Sequence, residues 1–491
     1  MLGILSIIIF LPVLMAVPTY IFGKINPRLA RIVCIGTTSA SFGLTMLILI
    51  VYQYGSSAPP FQLVETMPWA QSFGLNYIVG LDGISLPLLI ISTFLSLLAC
   101  AGSLDLINFQ EPEYYALFLI FETGIIGVFT SLNLILFYVF WEIVLIPMFF
   151  FIGVWGGPRR RYAALKFLLF TYSASAVMLF GFLAVFAYTH TFDYISVDGS
   201  PTLISQVNQM PMFIQLFASI TTFIGFAVKL PIVPFHTWLP DAHVEAPAPV
   251  SVLLAGLLLK MGGYGFIRYN LLLFSNAANT LWPYFAGIGL VTMIYGATVA
   301  LVQTDLKRMI AMTSINHMGF VLLGTFSRNV AGVSGAVFQM FNHALAIGIL
   351  FLMSGYIHEH MGTRNINELG GLRGRMPLTA TLLVLGSLAA MAIPGLSNFI
   401  SEYLVIAGAL TASPIFALAI IAPALTVGYF LWMLRRVVLT PATGPRNELH
   451  LHSLIILAAF LVPLFILGAY PGPMLDSIIR PTILRFLGGG P

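Results

Sequence analysis

The chain is a succession of apolar runs, and this feature limits its fold more than any other. An apolar run of about 20 residues spans a bilayer as a helix. Fourteen such runs are read, at 2–22, 31–53, 84–104, 113–131, 132–155, 163–187, 213–239, 248–274, 281–303, 308–327, 332–358, 377–410, 414–438 and 453–475. Of the 491 residues 59% are hydrophobic and 8% are charged, whereas a soluble domain carries roughly 25% charged residues. Such a chain cannot cover a water-facing surface. A soluble enzyme, a disordered segment and a nucleic-acid-binding module are excluded. The expected fold class is an all-α membrane protein of about 14 transmembrane helices. The formal net charge is only +4, too small and too scattered for nucleic acid. The partner that the composition implies is the lipid bilayer.

The first run is apolar from its second residue and lacks the basic start and small-residue cleavage site of a secretory signal. It is read as the first membrane helix. The longest connections, 54–83 and 188–212, are too short for soluble domains, so 1–491 reads as a single membrane domain. Lysine and arginine collect in cytoplasmic loops. With the amino end outside, the inside connections hold fourteen: Lys24, Arg28, Arg31, Arg159, Arg160, Arg161, Lys307, Arg308, Arg364, Arg373, Arg375, Arg435, Arg436 and Arg446. Arg268, Arg328, Arg480 and Arg485 make four outside. Both termini are therefore expected on the outside. The two cysteines, Cys34 and Cys100, lie in apolar runs with no CxxC pair. They read as small buried hydrophobes. Iron–sulfur clusters and structural zinc need about four ligands, and no metal site is expected.

Two runs contain helix breakers. The seventh reads AVKLPIVPFHTWLPDA, with Pro231, Pro234 and Pro240, and the twelfth carries Ala392-Ile393-Pro394-Gly395. Proline removes a backbone donor, and in lipid the freed carbonyls must face protein or water. Each break can be read as a plain kink. Two at comparable places, five runs apart, suit a transporter built from inverted repeats. Hydropathy and breaks place a first five-helix repeat at 113–274 and a second at 281–438; no residue-level repeat supports them.

Charges inside the runs carry the chemistry. A charge at the bilayer centre costs about 2.5 kcal/mol or more, and such groups mark ion or proton paths. Glu142 lies mid-run in the fifth, Lys229 beside Pro231 in the seventh, Lys260 in the eighth, and Glu402 past the break in the twelfth. His317 and His343 are central in the tenth and eleventh, and Glu122 lies in the fourth. Together they suggest coupled protonation sites that relay a proton. Each has a plainer reading. Glu142 and Lys229 can form a static ion pair, Glu122 can be a hydrogen-bonded core residue, and the histidines can be satisfied in the core. Lys166, near the Arg159–Arg161 cluster, is expected to snorkel to the interface.

The local strings then resemble a known family. AVKLPIVPFHTWLPDAHVEAPAPVSVLLAGLLLKMGGYGFIR (Ala227 to Arg268), WEIVLIPMFFFIGVWGG (Trp141 to Gly157), SINHMGF (Ser314 to Phe320) and GLDGISL (Gly80 to Leu86) are similar to the antiporter-like subunits of respiratory complex I. Glu402 in NFISEY, where paralogues typically have lysine, resembles the subunit M (chain 4) branch. The absence of a long lateral helix fits that branch too. The resemblance implies proton-carrying roles. Glu142 pairs with Lys229, Lys260 is the connecting lysine, and His317 and His343 form the central axis. Glu402 is the terminal acceptor, and Glu122 is a further member of the set. Ser401 stands where glycine is usual and Met312 where tyrosine is common, which marks a distant branch.

The expected function is proton translocation within an NADH:quinone oxidoreductase, with no redox cofactor in this chain. Flavin, iron–sulfur clusters and quinone are expected in partner subunits, and paralogous antiporter-like subunits on either side. Alternatives are an Mrp-type cation/proton antiporter, an F420H2 dehydrogenase or a membrane-bound hydrogenase. A haem protein using His317 and His343 and a plain scaffold are weaker readings. The expected location is the cell membrane of a bacterium or archaeon, or a thylakoid.

Overall fold

In a bilayer interior the backbone has no water to bond, so its amides must be satisfied within helices. The computed structural model describes residues 3–55, 57–70, 75–195, 202–441 and 445–488, and helices dominate it. Among the described residues thirteen helices are long and apolar enough to cross a membrane. Twelve of them coincide, within about six residues at each end, with runs read from the sequence, and the thirteenth, Met212–Lys229, covers the first part of the seventh run. The remaining run, the twelfth, is split into Pro377–Ala390 and Ser397–Ala412. The seventh is also broken: one helix covers Met212–Lys229 and resumes at Trp238–Glu245.

The spans are not equivalent. The most apolar windows of the eighth (Ala248–Leu273), tenth (Leu306–Phe326) and eleventh (Val330–Met361) are 100% buried within the chain, whereas those of the second (Pro27–Val51), thirteenth (Pro414–Val437) and fourteenth (Leu451–Ala469) are 33% buried. The first group forms the core and the second faces outward. The core helices carry Lys260, His317 and His343.

The connection 54–83 contains structure that the apolar-run reading passed over. β1 (Gln62–Ala70) pairs antiparallel with β2 (Leu75–Leu81), with Glu65 opposite Val79 and Met67 opposite Tyr77. Glu65 explains why the hairpin stays on the bundle. A helix begins with unpaired amides. Glu65 accepts from the backbone amides of Gly3 (2.9 Å), Leu5 (2.8 Å) and Ser6 (3.1 Å) at the start of the first span (Ile4–Ile25). Its charge also suits the positive end of the helix dipole.

Two assignments in the loop count are corrected. Arg268 is not in an outside loop; it is 1% exposed within the eighth span, paired with Asp82. Lys307 is not in an inside loop; it is 4% exposed at the start of the tenth span, with its ammonium on the Ala246 carbonyl. Each was misplaced because a charge near the end of an apolar run reads as a loop residue. Removing one from each side leaves thirteen against three, so the asymmetry stands. Cys34 and Cys100 are free and buried, yet they meet, with their sulfurs 3.2 Å apart.

Candidate functional site

Proline places Lys229 where a helix stops. Pro231 and Pro234 cannot donate to the turn before them, and the seventh span ends at Lys229 itself. One carbonyl close to the break, that of Val228, accepts from the Trp238 indole at 2.9 Å. Lys229 is buried, and its ammonium finds no hydrogen-bond partner in the described residues. It lies 4.9 Å over the ring of Trp141, the residue before Glu142. Among the described residues Lys229 and Glu142 form no salt bridge, although Glu142 is within electrostatic reach. Glu142 instead borders a cavity of about 620 Å³ between the fifth and sixth spans, with Tyr138, Leu169 and Tyr172. The static ion pair is not formed.

The eighth span brings its lysine to the centre through irregular winding. Wide π-helical turns at Leu254–Leu258 and Phe266–Leu273 flank the α-helical segment Leu259–Gly265 that carries Lys260. Such turns leave backbone carbonyls free and often mark functional sites. The Lys260 ammonium contacts the Ala255 carbonyl and lies 2.6 Å from His343 Nδ1. Gly262 permits this placement. A Cβ there would sit 2.8 Å from both the Leu230 amide nitrogen and the Phe226 carbonyl oxygen.

From His343 the contacts continue. The rings of His343 and His317 lie 5.3 Å apart at 86°. His317 Nε2 is 3.5 Å from a carboxylate oxygen of Glu402. Gln339 donates to the same oxygen at 3.5 Å. Asn342 holds the second half of the broken twelfth span, donating to the Ser397 carbonyl at 3.1 Å and to the Ser401 hydroxyl at 3.3 Å. Glu402 therefore faces the eleventh span from just beyond the break. At that break Gly395 takes φ +98° and Ala392 takes φ 52°, the left-handed region that glycine enters freely and alanine enters at a cost.

Lys260, His343, His317 and Glu402 thus form one contact series, and every side chain in it is buried. The Lys229 ammonium, Glu142 Oε1, both nitrogens of His317 and His343 Nε2 have no hydrogen-bond partner among the described residues. Buried polar groups are almost always bonded to protein or ordered water. The chemistry of these atoms calls for water between them.

Two sequence expectations resolve differently. Glu122 is buried with neither oxygen bonded among the described residues, and it stands off the series, within electrostatic reach of Cys34. Lys166 does not snorkel freely; its ammonium lies 2.7 Å from Asp241 on the second half of the seventh span. Sequence reasoning also missed three groups. His243 is fully buried against Phe351, ring centroids 4.3 Å apart, with both nitrogens unbonded among the described residues. Lys307 lines a polar cavity of about 660 Å³ with Glu245, His358 and Arg364. Asp82 and Arg268 form a buried pair. The signal was present in charged residues within otherwise apolar strings, DAHVEAP and GLDGISL. Among the described residues no group of three His, Cys, Asp or Glu could hold a metal ion.

A bundle with two broken helices and a buried series of acids and bases defines a class: polytopic membrane proteins of the ion- and proton-moving kind. Within that class the chain belongs to the NADH:quinone oxidoreductase/Mrp antiporter transmembrane family, whose profile matches residues 131–427. It is similar to the NADH-quinone oxidoreductase subunit M of Rickettsia felis, with 39% identity over 98% of this chain and 97% of that protein. The F(420)H(2) dehydrogenase subunit M of Methanosarcina mazei is 36% identical over 98% of this chain and 97% of its own length. A chain of respiratory complex I from Thermus thermophilus superposes with a TM-score of 0.88 at 25% identity, covering 99% of this chain and 100% of that one.

Proposed function

We propose that the chain is the subunit M-type membrane component of an NADH:quinone oxidoreductase and moves protons through Glu142, Lys229, Lys260, His343, His317 and Glu402. One observation carries the reading. Four titratable side chains from four spans meet end to end in a region without solvent exposure. Buried ionisable groups are costly, and a series of them in contact is the arrangement that proton exchange requires. Each of the proposed repeats, 113–274 and 281–438, contains one broken helix, which supports the division. Water joins the two segments of the path, Glu142–Lys229 and Lys260–Glu402. Glu122 lies off this line, and the proposed path does not pass through it.

The chain itself is proposed to hold no redox cofactor. Electron transfer through flavin, iron–sulfur clusters and quinone belongs to partner subunits, and paralogous antiporter-like subunits flank this one. The location is the cell membrane, with both termini outside. The test is Lys229→Ala in the whole complex in sealed vesicles. The complex assembles and proton uptake falls to background; full pumping in that variant overturns the reading. Purification separates it from cation/proton antiport. Peripheral subunits that co-purify with flavin and iron–sulfur absorbance support the oxidoreductase, and their absence supports the antiporter. An F420H2 dehydrogenase is distinguished by its electron donor in the same preparation.

A further inference from the structure

We propose that Arg268, held by Asp82 inside a sleeve of aromatic rings, is a fixed positive barrier that closes the hairpin end of the protein to protons. The inference rests on the reading above, that the buried row carries protons.

Arg268 follows Lys260 by eight residues on the same span, a rise of about 12 Å. Residues 260, 264 and 268 are spaced four apart and share a face. The Tyr264 hydroxyl accepts from Arg268 Nε at 3.2 Å. Asp82 follows β2 directly and sits at the start of the third span (Ser85–Leu106). Its Oδ1 accepts the amides of Ile84 (3.0 Å) and Ser85 (2.9 Å). Its Oδ2 is left for Arg268 Nη2, at 2.6 Å. The rings of Phe61, Tyr194, Tyr264 and Phe486 stand 5.2–6.0 Å from the guanidinium carbon. They come from four separate stretches of chain: the start of the hairpin, the 188–212 connection, the eighth span and the last helix (Arg480–Leu487). The Nη2–Oδ2 contact is an ion pair without hydrogen-bond geometry, and Nη1 finds no acceptor among the described residues.

A purely mechanical plug does not need this arrangement. Removing two ions from water costs several kcal/mol each, and apolar residues of similar volume hold such a contact as well or better. An apolar contact cannot present a cation. A guanidinium stays protonated at any working pH. Asp82 lies on the Nη2 side, so the Nη1 side is the positive end of the pair, and in its low-dielectric surroundings it repels hydronium, as arginine does in pores that exclude protons. Placed beyond Lys260, it blocks the direct way out along the eighth span. Protons at Lys260 then have the sideways route through His343 and His317 to Glu402.

The experiment uses the whole complex in sealed vesicles and follows the decay of an imposed pH difference with no electron donor present. Arg268→Gln should speed the decay at least about tenfold, the change produced by losing about 1.4 kcal/mol of barrier. Arg268→Lys, which keeps the charge, should stay within about twofold of the unmodified protein. Asp82→Asn keeps the cation and should remain tight, which provides a reading if Arg268→Gln fails to assemble. Tight Arg268→Gln vesicles at equal complex content overturn the proposal, as does an Arg268→Lys variant that leaks like Arg268→Gln, or a leaky Asp82→Asn complex. Donor-driven pumping by Lys229→Ala vesicles separates the two readings. If that variant loses pumping while Arg268→Gln stays tight, only the barrier is wrong. If it pumps fully, the proton row is wrong.

Discussion

His343 holds a demanding position, between Lys260 and His317. Its Nδ1 is one of two groups that the Lys260 ammonium reaches, and its ring is the step toward His317. Truncating it removes a partner from a buried donor, which costs about 1–3 kcal/mol. His343→Ala is therefore expected to lower the thermal midpoint of the detergent-solubilised complex and to stop proton uptake together. A variant with unchanged midpoint and full uptake would remove His343 from the path. Glu142, Lys229, Lys260, His317, His343 and Glu402 were legible in the sequence because lipid makes such residues rare mid-run, whereas Arg268 and Lys307, nearer the ends of their runs, read as loop residues. Which of them touch was not. Glu122 and Glu402 look alike in the sequence, as lone acids in apolar runs. Only the packing of the tenth and eleventh spans against the twelfth brings Glu402 to His317, and Glu122 has no such neighbour among the described residues.

At the scale of elements, the eighth span works by closeness. Its backbone passes against the break in the seventh at Gly262, where a Cβ would lie 2.8 Å from backbone atoms of Leu230 and Phe226. Neither can retreat as a side chain would. Gly262→Val should cost about 1–3 kcal/mol by overpacking and move Lys260 away from His343. The expected result is a lower thermal midpoint and weaker proton uptake, with electron transfer in the partner subunits retained. Unchanged uptake in a folded variant would show that the approach is slack. The prolines in the seventh run and Pro394-Gly395 in the twelfth marked both breaks correctly, because their chemistry is local. The π-helical turns around Lys260 left no such mark. Their winding depends on packing against neighbouring helices, and their sequence, LAGLL and FIRYNLLL, is ordinary apolar helix. The hairpin 62–81 was missed for a related reason. A two-stranded ribbon is short and mixed in polarity, so it leaves no long apolar run.

For the whole molecule, the uneven loop charge predicts which side each end faces. Both native cysteines are buried, so introduced thiols report without background. Trp69 in the hairpin is 55% exposed, and Arg446 is exposed at the opposite, basic end. Trp69→Cys should react with a membrane-impermeant maleimide in intact cells, and Arg446→Cys only after the membrane is opened. The reverse labelling would invert the proposed orientation. The number of helices was legible because bilayer thickness sets their length. Which ones form the core was not. The first, fifth and fourteenth runs are as apolar as any in the chain, yet the eighth, tenth and eleventh are the enclosed ones. Hydropathy measures distance from water, and lipid and protein interior are alike by that measure.

The carboxylate that secures the opening turn of the first helix is encoded about sixty residues downstream of it. At the usual pace of about 5–20 residues per second, a ribosome supplies that carboxylate roughly 3–12 s later. Until then those amides have no carboxylate to bond. The final seat of the first helix is fixed only after the second helix has been made and the hairpin has folded back over it, so the order of manufacture is written into the way the bundle is fastened.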